Sequence, residues 1–181
     1  QKILNETMKE LKENEFKELF KERETDNFIE QSNDCVFETD QEVRIPDTYV
    51  NNVTERLSLY REMDNFKKEE DLLNFSNKLE DRFGKMPKEV DELLLSFKLR
   101  WLSKKLGMQR IVLKSNKFVG FFIEDPQSSF YESDVFGTLL SKVQHSNNFC
   151  RLAQKGDKLR LIIDSARNIN EVYLNLQKLS Y

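Results

Sequence analysis

The chain is poor in the residues that most chemical sites are built from. Its 181 residues include one histidine, two cysteines, one tryptophan, three prolines and five glycines. Cys35 and Cys150 lie far apart in sequence, and with a single histidine they offer no zinc-ligand spacing. None of the five glycines falls in a phosphate-binding pattern, so no nucleotide cradle and no cofactor are expected. His145 lies in the polar run Gln144-His145-Ser146-Asn147-Asn148 with no nucleophile or carboxylate beside it, and reads as a surface histidine. No catalytic residue, metal ligand or small-molecule substrate site is therefore predicted. No apolar run approaches the ~20 residues that cross a bilayer, so no membrane association is expected. Without a leader segment, the two cysteines read as free thiols in a reducing cytoplasm. A charge excess is missing too. The 29 basic and 32 acidic residues leave −3, unlike the basic balance of a typical nucleic-acid-binding domain. The chain begins with Gln rather than Met and reads as a piece of something larger.

What is present is charge and helical periodicity. Charged residues make up 34% and hydrophobic residues 38%, which suits helices with wide solvated faces. Leu4, Met8, Leu11, Phe16, Leu19 and Phe20 predict a helix over 1–24, followed by a polar linker, so that residues 1–33 form an appendage and 34–181 a compact domain. Cys35 to Ile45 reads as extended. Asn52-Val53-Thr54-Glu55 has helix-capping spacing, with Val53, Leu57, Tyr60 and Met63 inward. A second helix runs from Lys68 to Phe83 with Leu72, Phe75, Leu79 and Phe83 inward, and a third from Pro87 to Leu106 on Val90, Leu94, Phe97 and Trp101. Between them Gly84 suits a left-handed position past a helix end, and Pro87 a first helical turn.

Beyond Gly107 the pattern becomes strand–strand–helix, twice. Residues 110–113 and 117–123 flank the hairpin signal Lys114-Ser115-Asn116, and Ser133 to Val143 follows as a helix on Val135, Phe136, Leu139, Leu140 and Val143. Residues 149–154 and 158–164 flank Gly156-Asp157, and Asn168-Ile169-Asn170-Glu171 caps a last helix through Val172, Leu176 and Leu179. The expected fold is α+β: a helical appendage, a three-helix region, and a small, mostly antiparallel four-stranded sheet with helices packed on it.

Four groups are candidates for contact. Lys98, Arg100, Lys104, Lys105 and Arg110 are the most basic stretch, either a nucleic-acid site or a solvated helix face. Glu38, Asp40 and Glu42 read as a solvated strand face, without the glycine of a calcium loop. Adjacent Phe121 and Phe122 point to opposite sheet faces, which leaves one for a partner or for a second covered face. Asp81 lies nine residues from Leu72, on the solvent side of its helix at about 100° per residue. It either pairs with Lys78 on the same helix or, with Glu80, Arg82 and Glu89 nearby, presents an acidic edge to a basic partner.

Arg56-Leu57-Ser58-Leu59-Tyr60, Leu79-Glu80-Asp81-Arg82-Phe83-Gly84-Lys85-Met86-Pro87 and Lys104-Lys105-Leu106-Gly107, in this order, resemble the C-terminal domain of the bacterial transcription-repair coupling factor. The resemblance covers roughly 34–179. It implies a non-catalytic domain that follows an ATP-dependent DNA translocase. In the family this domain docks on an N-terminal module of the same polypeptide, which restrains the motor and masks the surface that recruits excision-repair proteins. The parent engages RNA polymerase and DNA. Asp81 matches the family aspartate that faces the module. Some members carry an acid three residues earlier; Lys78 stands there in this chain and departs from the pattern.

Overall fold

The computed structural model describes residues 35–146 and 149–180. The predicted helix and linker over 1–33 lie outside the described residues.

The chain runs β1 (Val36–Thr39), α1 (Val53–Met63), α2 (Glu69–Phe83), α3 (Lys88–Lys105), β2 (Met108–Lys114), β3 (Lys117–Phe122), a 3-10 turn (Ser129–Glu132), α4 (Asp134–Gln144), β4 (Arg151–Lys155), β5 (Lys158–Ile163) and α5 (Ile169–Ser180). The strands form one sheet in the order β1-β2-β3-β5-β4. The expected α+β class is what the chain adopts. The sheet has five strands rather than four, because Val36–Thr39 joins it as a parallel neighbour of β2. The other three pairings are antiparallel. Two hairpins supply β2–β3 and β4–β5, and their inner strands β3 and β5 meet at the centre. The first hairpin turns on Ser115 (φ 52°) and Asn116 (φ 57°), the double positive φ of a tight two-residue connection.

Local chemistry sets the helix ends. The Asn52 Oδ1 accepts the Glu55 N–H at 3.0 Å. The Asp71 carboxylate accepts the N–H groups of Lys67 and Lys68 at 2.9 and 3.1 Å, satisfying donors a helix start leaves open. At α5 the Asn168 Oδ1 accepts from Glu171, while the Glu171 carboxylate accepts from Arg167. Pro87 caps α3 from outside (φ −74°, ψ 160°) instead of occupying its first turn.

Three predicted inward faces are corrected. On α1 the buried residues are Arg56, Leu59, Tyr60 and Met63, with Val53 and Leu57 half-buried. The true face includes the buried Arg56, which the apolar pattern does not mark. On α3 Val90 and Leu94 are buried as expected, but Phe97 and Trp101 are half-buried, and their rings meet edge to face at 6.3 Å. A second buried stripe, Ser96, Leu99, Ser103 and Leu106, lies along the same helix. Its serines read as polar, yet α3 packs on α5 and β2 and is covered on two sides. On α4 Leu139 is fully buried, Val135 is exposed, and Phe136 joins Phe122, Phe130 and Tyr131 in an aromatic cluster.

The core lies between the helices and one sheet face. Ile111, Leu113, Phe118, Phe122, Leu161 and Ile163 from the strands meet Leu99, Leu139, Val172 and Leu176 from the helices. Both cysteines are buried, and burial pushes the Cys150 thiol up.

Two glycines occupy backbone that other residues resist. Gly84 has φ +80° and ψ −167°, a region essentially reserved for glycine, instead of the left-handed helical cap expected. Gly107 has φ +81°. A Cβ on Gly84 meets nothing within 4 Å, whereas on Gly107 it lies 2.2 Å from the Phe130 ring. Gly84→Val is therefore expected to cost about 1–2 kcal/mol of backbone strain. Gly107→Ala should cost more, about 3 kcal/mol, because overlap with Phe130 adds to the strain. Urea denaturation midpoints of the two variants test that order; an unshifted Gly84→Val midpoint would refute the strain.

Candidate functional site

The turn between α2 and α3 is held from outside by a loop. The Tyr49 hydroxyl donates to the Gly84 carbonyl at 2.8 Å, and its ring meets Phe83 edge-on at 5.8 Å. That loop is anchored by two side chains of α1. The Tyr60 hydroxyl accepts the Ile45 N–H at 2.7 Å. The buried Arg56 guanidinium donates to the carbonyls of Val50 (2.5 Å) and Asn51 (3.0 Å). Arg56 and Tyr60, one helical turn apart, are the first and last residues of the first motif behind the resemblance. Their sequence signal was present, but without the loop's position it had no role attached. Tyr49 had no signal.

Around this turn the charges are sorted. Lys78 does not pair with Asp81: its ammonium reaches Glu62 of α1 at 2.5 Å. Arg82 pairs with Glu55 of α1, and its guanidinium lies 5.0 Å above the Phe83 ring. Asp81 and Glu80 are exposed, and among the described residues neither carboxylate holds a cation. Glu89 is half-buried in the first turn of α3. Burial, followed by the Glu80 charge, raises the Asp91 carboxyl above its ordinary value despite Lys85. Burial, Glu80 and Asp91 raise the Tyr49 hydroxyl likewise. In both groups burial is the larger cause and the neighbouring carboxylates the smaller one.

The basic stretch is dispersed. Lys98 pairs with Glu69 of α2 at 3.2 Å. Arg100 donates to the Cys35 carbonyl at 3.0 Å and lies 5.6 Å above the Phe97 ring. Lys104 and Lys105 are exposed in the last turn of α3. At about 100° per residue, Lys98 and Lys105 fall on one side of the helix, with Arg100 and Lys104 on the other. Arg110 belongs to β2 and pairs with Glu38 at 2.6 Å. No single basic surface results.

The acidic run is not a cluster either. Glu38 lies between Arg110 and Lys114, Asp40 accepts the Ser115 N–H at 2.8 Å, and Glu42 pairs with Arg44. His145 is exposed, its Nδ1 2.7 Å from the Ser141 carbonyl oxygen. Among the described residues no three His, Cys, Asp or Glu side chains gather as metal ligands, and no helix is long and apolar enough to cross a membrane.

The domain is thus an α+β unit whose candidate site is a charged surface. The family model of the TRCF domain matches residues 39–133, more than half of the chain, and the chain belongs to that family. Curated relatives agree. The transcription-repair-coupling factor of Rickettsia bellii (strain RML369-C) is 35% identical over 77 residues, 42% of this chain and 7% of that protein. Its counterpart from Rickettsia typhi (strain ATCC VR-144 / Wilmington) is 32% identical over 87 residues, 48% of this chain and 8% of that protein. The chain thus spans under a tenth of the length of these relatives. The fold is that of a crystal structure of the C-terminal domain of transcription-repair coupling factor, with TM-score 0.65 and 18% identity over 82% of this chain and 91% of that one.

Removing the loop anchor tests how the site is built. Arg56→Met leaves the Val50 and Asn51 carbonyls without this donor, and should lower stability by about 2–4 kcal/mol. Equilibrium urea unfolding measures this; a loss below about 1 kcal/mol would show that the loop holds itself.

Proposed function

We propose that the chain is a non-catalytic regulatory interaction domain, and that the α2 end carrying Asp81 and Glu80 docks on a basic surface. The partner is an N-terminal module of the same polypeptide, in a transcription-repair coupling factor of the kind its relatives are named for. Docking restrains the DNA translocase and masks the surface that recruits excision-repair proteins. Release follows when the motor engages stalled RNA polymerase on DNA. The setting is the cytoplasm, and the ATP chemistry belongs to the motor.

One observation carries this reading: the two cations nearest Asp81 on α2 are drawn to carboxylates of α1, Lys78 to Glu62 and Arg82 to Glu55, and Asp81 is left exposed with its charge unneutralised. Lys78, at the position where some family members carry an acid, therefore does not cancel Asp81. The neighbouring carboxylates of Glu80 and Asp91 add to the attraction for a basic partner. An exposed, charged and modest surface suits reversible docking, in which effectors shift a population between two states.

Asp81→Arg replaces attraction by repulsion at a solvent-facing position. Its effect on folding should stay within about 0.5 kcal/mol. Binding to the separate N-terminal module should weaken by about 1–3 kcal/mol. Isothermal titration of both forms, with circular dichroism as the folding control, tests this. Equal affinity of two folded forms would remove Asp81 from the interface.

A further inference from the structure

We infer that the sheet face turned away from the helices binds single-stranded nucleic acid. This surface is separate from the α2 end and does not depend on the docking described above.

Strand register decides which side chains share that face. One row crosses all five strands as Val36, Arg110, Phe121, Arg160 and Ala153. The next crosses as Glu38, Val112, Val119, Ile162 and Arg151. Alternation adds Lys114 opposite Lys117 at the end of one hairpin and Lys155 opposite Lys158 at the end of the other. The face is therefore an apolar centre ringed by seven cations. The side chains of Arg110, Lys114, Lys117, Arg151 and Lys158 are between 45% and 61% exposed, so the ring is open to solvent.

The acids near it are too few to neutralise it. Glu38 is shared by Arg110 (2.6 Å) and Lys114 (3.2 Å). Asp164, just past β5, is shared by Lys117 (3.1 Å) and Arg151 (3.0 Å). Glu124 pairs with Lys158 at 3.0 Å. Seven cations against these three carboxylates, and Asp40 and Asp157 in turns at the rim, leave a surplus of two. Among the described residues Lys155 and Arg160 hold no carboxylate, and the Arg160 Nε has no hydrogen-bond acceptor. This surplus stands on a chain whose total charge is −3, so the cations are concentrated here, as on a polyanion-binding face.

The centre of the face favours an unpaired strand over other polyanions. Phe121 is flanked by the guanidinium groups of Arg110, 5.1 Å from its ring centroid, and Arg160, at 5.9 Å. The half-buried Phe121 ring and the guanidinium groups beside it are the side-chain types on which unpaired bases stack, while the surrounding lysines meet phosphates. A duplex keeps its bases stacked and reaches only the cations. An acidic peptide has no bases to stack there.

The test uses the 181-residue chain in fluorescence anisotropy with a labelled oligo(dT) strand, a duplex of the same length, and polyglutamate as competitor. The single strand should bind more tightly than the duplex, with an affinity that falls steeply with salt. Phe121→Ala should weaken single-strand binding about 5- to 100-fold and change duplex binding less than about 2-fold. Lys155→Gln with Arg160→Gln should reduce the slope of log affinity against log salt by about 1–2. The exposed Lys155 decides the matter through that slope should Phe121→Ala unfold. No binding at low salt, equal affinity for duplex and strand, displacement by polyglutamate at matched charge, or variants that bind as the parent does would each overturn the inference.

Discussion

Everything at the helical end depends on the backbone at Gly84. With φ +80° and ψ −167°, the chain leaves α2 in a direction that no Cβ-bearing residue takes cheaply, and Pro87 then sets the extended step into α3. The angle between the two helices decides which of their residues meet. Leu79 and Val90 become fully buried, while Asp81 remains in solvent. The Gly84 carbonyl, freed by that geometry, is taken by Tyr49. The loop carrying Tyr49 is in turn fixed by Arg56 and Tyr60. A buried guanidinium is costly to desolvate and persists because it satisfies two backbone carbonyls at once.

The ion pairs along α1 and α2 are exposed, and pairs of that kind contribute little to stability. Their consequence is directional. By committing Lys78 and Arg82 to α1, they separate the cations from Asp81 and leave a negative corner beside the Gly84 turn. The sheet shows the reverse arrangement, with carboxylates shared between cations and positive charge left over. A chain of nearly balanced composition thus carries two surfaces of opposite sign, and the net charge hides both.

Much of this molecule is written in short-range sequence. The caps at Asn52 and Asn168, the turn at Ser115-Asn116, the Leu72, Phe75 and Leu79 stripe and the alternation of Leu159, Leu161 and Ile163 each depend on residues within about four positions of one another. Helix ends, tight turns and amphipathic faces are governed over that range. The ordered motifs that carry the family resemblance are legible for the same reason: they are caps, turns and inward faces in series.

Tertiary structure alone decided the rest. β1 is acidic and short, and it becomes a strand only because β2, distant in sequence, offers it a parallel edge. Arg56 carries no mark of burial until the loop that needs its donors is placed over it. Ser96 and Ser103 look polar until helix and sheet close on both sides of α3. Lys78 has Asp81 three residues away on its own helix, yet its charge goes to Glu62, brought close by the packing of α1 against α2. The seven cations of the sheet come from four strands and share a surface only through register. By itself the sequence determined the local elements and the charges they carry, because those follow from neighbours along the chain. Which charges cancel and which remain for a partner follows from distances in space, and only the folded structure sets those.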